Sequence, residues 1–216
     1  MNCIYCNGKC IKKGKRNRTQ NYQCNECKKY QQSSYKNRIY TTKDEENIKA
    51  LNNEGVGIRS ISRILRIPKS TVQGKIESIA KKITHPEIKE TEQMYEIDEL
   101  RTFVGNKKNE SWVIYGINKI KGHVIDFCVG RRTKENLKKV VESILKLNPK
   151  KIFTDGLNIY PSLIPKAIHK VFVYNTNKIE RHNLTLRTHI KRLTRKTICF
   201  SRSKDMLYNC VKLYLS

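Results

Sequence analysis

The sequence predicts an α/β domain in the larger, carboxyl-terminal part of the chain, preceded by two small modules. Cysteine pairs crowd the amino terminus, helical apolar patterns follow, and β-rich runs begin at Met94. A change in apolar period from 3.6 to 2 marks a change from helix to strand. The predicted parts are a cysteine module over residues 1–38, a helical module over 41–83, a linker over 84–93 and the α/β domain over 94–216.

The charge of the chain is extreme. It has 45 Lys and Arg against 19 Asp and Glu, a formal net charge of +26. Such an excess favours a polyanionic partner, and nucleic acid is the default. A membrane surface is the rival, but we find no basic amphipathic helix with a clean apolar face and no apolar run long enough for a bilayer. We therefore expect nucleic acid and no membrane.

Five of the eight cysteines lie near the amino terminus, and we expect the other three, Cys128, Cys199 and Cys210, to be buried apolar side chains. Two Cys-x-x-Cys pairs, Cys3 with Cys6 and Cys24 with Cys27, are separated by 17 residues. Each pair places two thiolates on a tight turn, as tetrahedral zinc requires. The paired spacing favours these four over Cys10, which could replace one of them, and disulfides are the disfavoured alternative. We predict a zinc ribbon held together by one structural Zn²⁺, because so small a module cannot bury a core.

Three helices are predicted over residues 41–83. A capping box, Thr42 to Glu45, opens the first, and the third runs from Lys69 to Lys82 after a short turn. A short helix, a tight turn and a polar-faced helix form a helix-turn-helix. A plain helical bundle is the alternative, and Gly74 inside the recognition helix is a mild objection. The side chains predicted to reach phosphates and base edges are Lys69, Ser70, Thr71, Gln73 and Lys75.

The α/β domain is predicted from alternating runs and turn residues. Three antiparallel strands come first, the second and third joined through Lys121-Gly122, and a helix capped by Thr133 follows. A short buried strand then ends at Asp155, and a helix carrying Glu180 closes the domain. The predicted strands are Met94–Leu100, Trp112–Asn118, His123–Val129, Lys151–Gly156 and Val171–Tyr174. This order is the ribonuclease-H-like order, a mixed sheet with flanking helices.

Three carboxylates fall on elements that can meet: Asp98 within a strand, Asp155 at a strand end and Glu180 on the closing helix. Open α/β sheets bind ligands at the carboxyl ends of their strands. Gathering like charges is unfavourable unless cations neutralise them. Two Mg²⁺ ions about 4 Å apart would do so, and would hold the attacking and leaving oxygens of a phosphodiester. The rival acids are Glu96, Glu99 and Asp126. Glu96 lies on the same side of its strand as Asp98 and Glu99 lies on the opposite side, and either could be solvated instead.

Several motifs carry a family resemblance. They are Glu96-Ile97-Asp98-Glu99-Leu100, Phe103-Val104-Gly105, Gly130-Arg131-Arg132, Thr154-Asp155-Gly156, Ile179-Glu180-Arg181-His182-Asn183 and the run from Leu193 to Ser201. Together they resemble the insertion-sequence-one-type transposases, a family that also carries an amino-terminal zinc ribbon and a helix-turn-helix. The resemblance implies a catalytic Asp-Asp-Glu triad at Asp98, Asp155 and Glu180, with 24 residues between the last two.

The resemblance also implies an activity. A transposase of this kind binds the inverted ends of its element, cleaves them to free 3′-hydroxyls and joins these to target DNA with two Mg²⁺ or Mn²⁺ ions per site. It implies double-stranded DNA as partner, a homodimer or larger assembly on DNA, and a cytoplasmic location at the prokaryotic nucleoid. The residues expected to hold DNA near the metals are His182, Asn183, Arg187, Arg195 and Lys196.

Two other functions are alternatives to this one. A zinc-ribbon and helix-turn-helix regulator, or an inactive transposase relic, would need no intact triad, and the three acids argue against it. A structure-specific nuclease of the same fold would cut DNA without joining it. The two amino-terminal modules, which suit the recognition of DNA ends, argue against that.

Overall fold

The computed structural model of the chain describes residues 1–34, 40–84, 91–171, 177–194, 196–197 and 199–216. It divides into two compact units, Met1–Thr42 and Lys43–Ser216. Arg195 and most of the strand predicted at Val171–Tyr174 lie outside the described residues. Among the described residues, no helix is long and apolar enough to cross a membrane.

The first unit contains a small antiparallel sheet. Its strands, β1 (Cys10–Arg16), β2 (Thr19–Cys24) and β3 (Tyr30–Gln32), lie in the order β1-β2-β3. The β1–β2 turn places Asn17 and Arg18 at positive φ angles of 50° and 65°, as a two-residue hairpin turn requires. Its buried apolar cluster consists of Cys3, Cys10 and Cys24. Sulfur atoms therefore make up most of what this unit buries.

The second unit begins with three helices, α1 (Thr42–Asn53), α2 (Ile58–Leu65) and α3 (Lys69–Lys82). The turn between α2 and α3 places Arg66 in the left-handed region, with φ at 53°. Its N–H bonds back to the carbonyl of Arg63, and Pro68 precedes α3. Glu45, predicted to close a capping box, instead bonds the ammonium groups of Lys75 and Lys82 on α3 at 2.7 and 3.1 Å.

The three helices are packed against the carboxyl-terminal part of the chain. The side-chain amide of Asn52 donates to the carbonyl of Cys210 at 3.2 Å. Gly55 has a φ of 72°, and a Cβ there would lie 2.1 Å from the carbonyl oxygen of His189, so only glycine fits. Helix α3 also packs against α6, described below. These contacts fix the helices to the α/β part within one compact unit.

The α/β part is built on a mixed five-stranded sheet. Its strands are β4 (Met94–Val104), β5 (Asn106–Asn118), β6 (Val124–Gly130), β7 (Lys151–Thr154) and β8 (His169–Val171), in the order β6-β5-β4-β7-β8. The first three pair antiparallel, whereas β4–β7 and β7–β8 pair parallel. Its helices are α4 (Lys134–Leu145), α5 (Asn177–His189) and α6 (Lys204–Tyr214). The predicted mixed α/β class is confirmed.

Both faces of this sheet are covered by apolar side chains. On one face Leu100 and Tyr115 pack with residues of α5 and α6, such as Leu186 and Leu207. On the other face Tyr95, Ile97 and Ile114 pack with α4. Successive residues of a strand point to opposite faces, so β4 contributes to both layers. Ile179 and Leu186 on α5 are buried, and so are Ile190 and Leu193, which lie just beyond the end of that helix at His189.

Three expectations about the α/β part were wrong in detail. Strand β5 begins at Asn106, whereas the predicted start was Trp112. Its first five residues are polar and exposed, so they show no alternation of apolar and polar side chains from which a strand could be predicted. The last described strand begins at His169, two residues before the predicted Val171, and predicted residues 172–174 lie outside the described residues. Cys199, expected to be a buried apolar side chain, is exposed, whereas Cys210 is buried as expected and Cys128 partly so.

Candidate active site and four-cysteine centre

Two central strands bring the predicted aspartates together. In the parallel pairing of β4 with β7, Glu96 is registered against Phe153. Asp98 stands two residues further along β4, and Asp155 stands two residues after Phe153, just beyond the end of β7, so the continued register places them side by side. Carboxylate oxygens of Asp98, Glu99 and Asp155 all lie within 4.8 Å of one another. Asp155 follows the last residue of β7 and is exposed, whereas Asp98 is half-buried.

Asp98 is held in place by donors on both carboxylate oxygens. The N–H of Glu99 donates to Oδ1 at 2.7 Å, and the side-chain amide of Asn183 donates to Oδ2 at 2.5 Å. Asn183 in turn accepts from the hydroxyl of Tyr115 at 2.8 Å. The side-chain amide of Asn183, a residue predicted to contact DNA, thus orients the central aspartate.

The acids raise one another's affinity for protons. Burial raises the pKa of Asp98, and the charges of Asp155 and Glu180 raise it further, against the bonds from Glu99 and Asn183 that lower it. Burial also raises the pKa of Glu99 to about 7, although the hydroxyl of Tyr160 donates to its carboxylate. A positive charge, either a proton or a metal cation, would therefore be stabilised at this cluster.

Glu180 lies at the edge of this cluster. It is exposed on the first turn of α5, and its oxygens do not fall within the 4.8 Å group found among the described residues. Its charge nevertheless acts on Asp98. Helix α5 is anchored by the buried carboxylate of Glu96, which accepts the N–H of Ile179 at 3.0 Å.

The rival acids have separate structural partners. Glu96 is buried and paired with Lys119 in addition to its bond to α5. Asp126 accepts the hydroxyl of Ser143 and the N–H of Phe127. Glu99 is the residue that sequence reasoning set aside, because a neighbour on a strand points to the opposite face. Its oxygen still reaches the group, and the adjacent Asp-Glu pair was the available signal.

The basic and polar residues that were predicted to hold DNA near the acids differ in their contacts and exposure. Arg187 donates to the carbonyls of Leu193 at 2.7 Å and Arg101 at 3.4 Å, so its guanidinium braces the backbone. His182 packs its ring against Tyr115, with 5.4 Å between centroids, and burial lowers its pKa. Its Nδ1 has no hydrogen-bond partner among the residues that the structure describes. Lys196 is exposed.

The residues of α3 that were predicted to contact DNA also differ in their accessibility. Lys69 and Ser70 are exposed, and Thr71 and Gln73 are partly so. Lys75 is ion-paired with Glu45 on α1. The charge of Lys75 is therefore already neutralised, and the amino-terminal turn of α3 presents the accessible polar groups.

The four predicted cysteines of the first unit converge. Sulfur atoms of Cys3, Cys6, Cys24 and Cys27 lie within 4.8 Å of one another, with Cys3 and Cys27 3.6 Å apart and Cys6 and Cys24 3.4 Å apart. Tetrahedral zinc with Zn–S bonds of about 2.3 Å needs sulfurs about 3.8 Å apart, whereas a disulfide needs about 2 Å. The set therefore suits a four-thiolate metal site. Cys10, the spare, is buried beside it.

Backbone donors complete this arrangement. The N–H of Tyr5 donates to the sulfur of Cys3, and the N–H of Glu26 donates to the sulfur of Cys24, each at 3.4 Å. Such bonds orient and stabilise thiolates around a metal. Burial opposes ionisation of the Cys3 thiol, but the N–H groups of Tyr5 and Cys6 and the sulfurs of Cys27 and Cys6 lower its pKa to about 6.

The acid cluster lies in a part of the chain that matches a known protein family. The family model described as IS1 transposase matches residues 93–216. The chain is 40% identical over 111 residues to the insertion element iso-IS1n protein InsB of Shigella dysenteriae, covering 51% of this chain and 85% of that protein. It is 32% identical over 121 residues to the IS1 protein InsB of Shigella flexneri, covering 56% and 92%. The IS1 1 protein InsB of Escherichia coli K12 is 31% identical over 121 residues, covering 56% and 72%.

Proposed function

The chain belongs to the IS1 transposase family, and we propose that it binds the inverted ends of its element, cleaves them to free 3′-hydroxyls and joins these to target DNA. The family supports DNA-processing chemistry in general, and the steps named here are our proposal. Its substrate would be double-stranded DNA, both at the element ends and at the target.

One observation carries the proposal. Asp98 on β4 and Asp155, directly after the end of the neighbouring strand β7, lie close together, and both lie inside the region matched to the family. The strand order β6-β5-β4-β7-β8, with three antiparallel strands followed by two parallel ones, is compatible with a ribonuclease-H-like fold. In this arrangement the paired aspartates occupy the carboxyl end of a parallel strand and its neighbour, the edge at which open sheets bind ligands.

The donor set suits hard divalent cations. Carboxylate oxygens are the ligands that Mg²⁺ and Mn²⁺ prefer, and close like charges are stabilised by a cation. We propose that Asp98, Asp155 and Glu180 hold two such ions, with Glu99 close enough to take part. When bound, the ions would stabilise charge on the attacking and leaving oxygens of a phosphodiester.

The protein's own groups would prepare this site. Asn183 and the N–H of Glu99 fix both oxygens of Asp98, so its orientation is set before substrate arrives. The hydroxyl of Tyr160 holds Glu99. Glu96 ties α5 to β4 through Ile179, and thereby sets the position of Glu180 relative to Asp98.

The two amino-terminal parts would recognise DNA. We propose that Cys3, Cys6, Cys24 and Cys27 hold one structural Zn²⁺ in a zinc ribbon, and that α2 and α3 act as a helix-turn-helix. Lys69, Ser70 and Gln73 at the start of α3 are the accessible candidates for contacts with bases and phosphates. Because two ends must be joined together, the active form would be a homodimer or larger on DNA.

The experiment is a cleavage and joining assay. Purified protein is incubated with DNA carrying the flanking ends of its own gene and with Mg²⁺ or Mn²⁺, and both 3′-end cleavage and joined products are measured. Asp155→Asn should abolish both while leaving DNA binding nearly intact. Asp126→Asn, which alters an acid bonded to Ser143 away from the cluster, is the matched control and should retain activity.

The other outcomes separate the alternatives. Equal loss of binding and cleavage in Asp155→Asn would contradict the catalytic assignment. Cleavage without joining would indicate a nuclease, and binding without cleavage would indicate a regulator or an inactive relic.

A further inference from the structure

A basic groove lies between the helices of the second unit and two short segments, Ile190–Arg192 and Cys199–Ser203. We propose that this groove binds the phosphodiester backbone of the same duplex that α3 contacts, and guides it from α3 toward the strand that carries Asp98. The inference rests on the proposed function for the identity of the duplex, but the groove itself is argued from its own geometry.

The groove has a volume of about 570 Å³. One wall is formed by the start of α2, from Gly57 to Ser60, and by Lys69 and Gln73 of α3. The opposite wall is formed by Ile190–Arg192 and Cys199–Ser203. Two of the residues predicted to read DNA therefore face a second surface of the same unit. A duplex lying on α3 would contact both walls at once.

The lining is strongly cationic. Its Lys and Arg residues are Arg59, Arg63, Lys69, Lys191, Arg192 and Arg202, and none of the described residues that line it is Asp or Glu. The chain has 19 acids, so their absence from this surface leaves a concentrated positive field. Cations that crowd a groove repel one another unless a polyanion neutralises them. Phosphodiester backbone is the polyanion that such a surface fits.

Helix termini add to this field. Helix α2 opens at the groove with Gly57 at its cap position and no side-chain cap. Helix α6 opens there after Ser203, whose hydroxyl accepts the N–H of Met206 at 3.1 Å. The amino-terminal end of a helix carries partial positive charge and binds phosphate. Both ends therefore reinforce the attraction of the six cationic side chains.

A second basic groove continues the path. It has a volume of about 330 Å³, and Phe200 lines both grooves. Its cationic lining is Arg101, Lys107, Arg187 and Lys196, of which Arg101 is already paired with Glu110. The hydroxyl of Thr102 on β4 donates to the carbonyl of Arg192 at 3.0 Å. Asp98 lies four residues before Thr102 on that strand, so the path leads toward the acid cluster.

The walls of the first groove are fixed to each other. The close approach of Gly55 to His189 and the bond from Asn52 to Cys210 join them. The side chain of Arg192 donates to the hydroxyl of Ser201 at 3.0 Å, which orders the second wall. A preformed groove loses little conformational entropy when it binds a ligand.

The test measures equilibrium binding of the full chain to duplex DNA over a range of salt concentrations. Lys191→Gln/Arg202→Gln removes two exposed charges from the wall opposite α3. Each lost phosphate contact lowers the slope of log K against log salt by about 0.9, so the double variant should lose about 1.8 and bind roughly tenfold more weakly or worse in about 0.1 M salt. Element-end and unrelated duplexes should lose affinity alike, because backbone contacts carry no sequence information.

The matched control is Lys150→Gln/Lys166→Gln. Both lysines are exposed and precede parallel strands, so they lie toward the end of the sheet opposite the acids. The control should keep the wild-type slope and affinity. Thermal melting of both double variants should match the wild type, since all four side chains are exposed.

The outcomes separate this inference from the proposed function. A Lys191→Gln/Arg202→Gln slope equal to that of the control would overturn the groove, even if the wild type cleaves and joins DNA. A loss of affinity for single strands but not for duplex would also overturn it. If the slope falls as expected while the wild type neither cleaves nor joins, the groove stands and the proposed function fails.

Discussion

The two sheets of this protein are stabilised in different ways. The three-stranded sheet of the first unit buries a cluster of three cysteines, whereas the five-stranded sheet of the second is covered on both faces by apolar side chains. Apolar burial of the second kind stabilises a fold without a metal, at about 25 cal/mol per Å². The first unit has little such surface, so we attribute its stability mainly to its candidate metal site.

The two candidate metal sites differ in their ligand atoms and in their access to substrate. The first offers four sulfurs and no place for substrate, as a structural zinc site does. The second offers oxygen ligands, and its Asp155 is exposed, so a substrate can approach. The comparison teaches that one chain offers soft sulfur ligands where the apolar core is small and hard oxygen ligands where a site is open to solvent.

The largest expected effect tests the first half of this comparison. Cys24→Ser removes a buried sulfur from the four-cysteine centre, and should release the zinc and unfold the first unit. The metal content should fall from one zinc per chain toward none, and sequence-specific DNA binding should weaken, while the melting of the second unit should not change. Structural zinc in such peptides contributes about 10–16 kcal/mol.

The matched control is Cys199→Ser, at an exposed cysteine outside the centre. It should keep one zinc per chain. Unchanged metal content in Cys24→Ser would contradict the zinc ribbon.

A smaller effect tests how the second unit is stabilised. Glu96→Gln breaks a buried ion pair with Lys119 and weakens the bond that anchors Ile179 of α5. Removing one partner of a buried pair is strongly destabilising, and we expect a loss of about 2–3 kcal/mol, since Lys119 is partly exposed. The free energy of unfolding of the second unit, measured with denaturant, checks this.

Glu110→Gln serves as the comparison for that variant. Its ion pair with Arg101 is about half exposed on both sides, so its loss should change the free energy of unfolding by less than about 1 kcal/mol. Equal effects of the two variants would contradict the structural role of Glu96.

Much of this arrangement could be predicted from the sequence. Cys-x-x-Cys spacing marked the four converging cysteines, and apolar periodicity gave α3 its observed bounds of Lys69–Lys82. The acids Asp98 and Asp155 were placed together because strand order and strand ends determine which residues meet. These features depend on local patterns and on few topological choices.

The remaining features depend on partners that are distant in sequence. Asn183 reaches Asp98 across 85 positions, and Arg187 is used by two backbone carbonyls. Glu99 joins the acids although a strand neighbour should face away. No periodicity encodes such contacts, so the sequence pattern did not reveal the structural bonds of Asn183 and Arg187 or the place of Glu99 among the acids.

The central claim is that Asp155 holds a divalent cation during DNA cleavage. The most direct measurement compares Asp155→Cys with the wild type in the element-end cleavage assay, using Mg²⁺ and then the more thiophilic Mn²⁺ or Cd²⁺. With Mg²⁺ the variant should lose about 100-fold or more of its activity, because losing even a hydrogen-bond partner of a metal ligand costs about 10- to 100-fold. Mn²⁺ or Cd²⁺ should restore part of it. A variant that cleaves with Mg²⁺ at the wild-type rate would contradict the account.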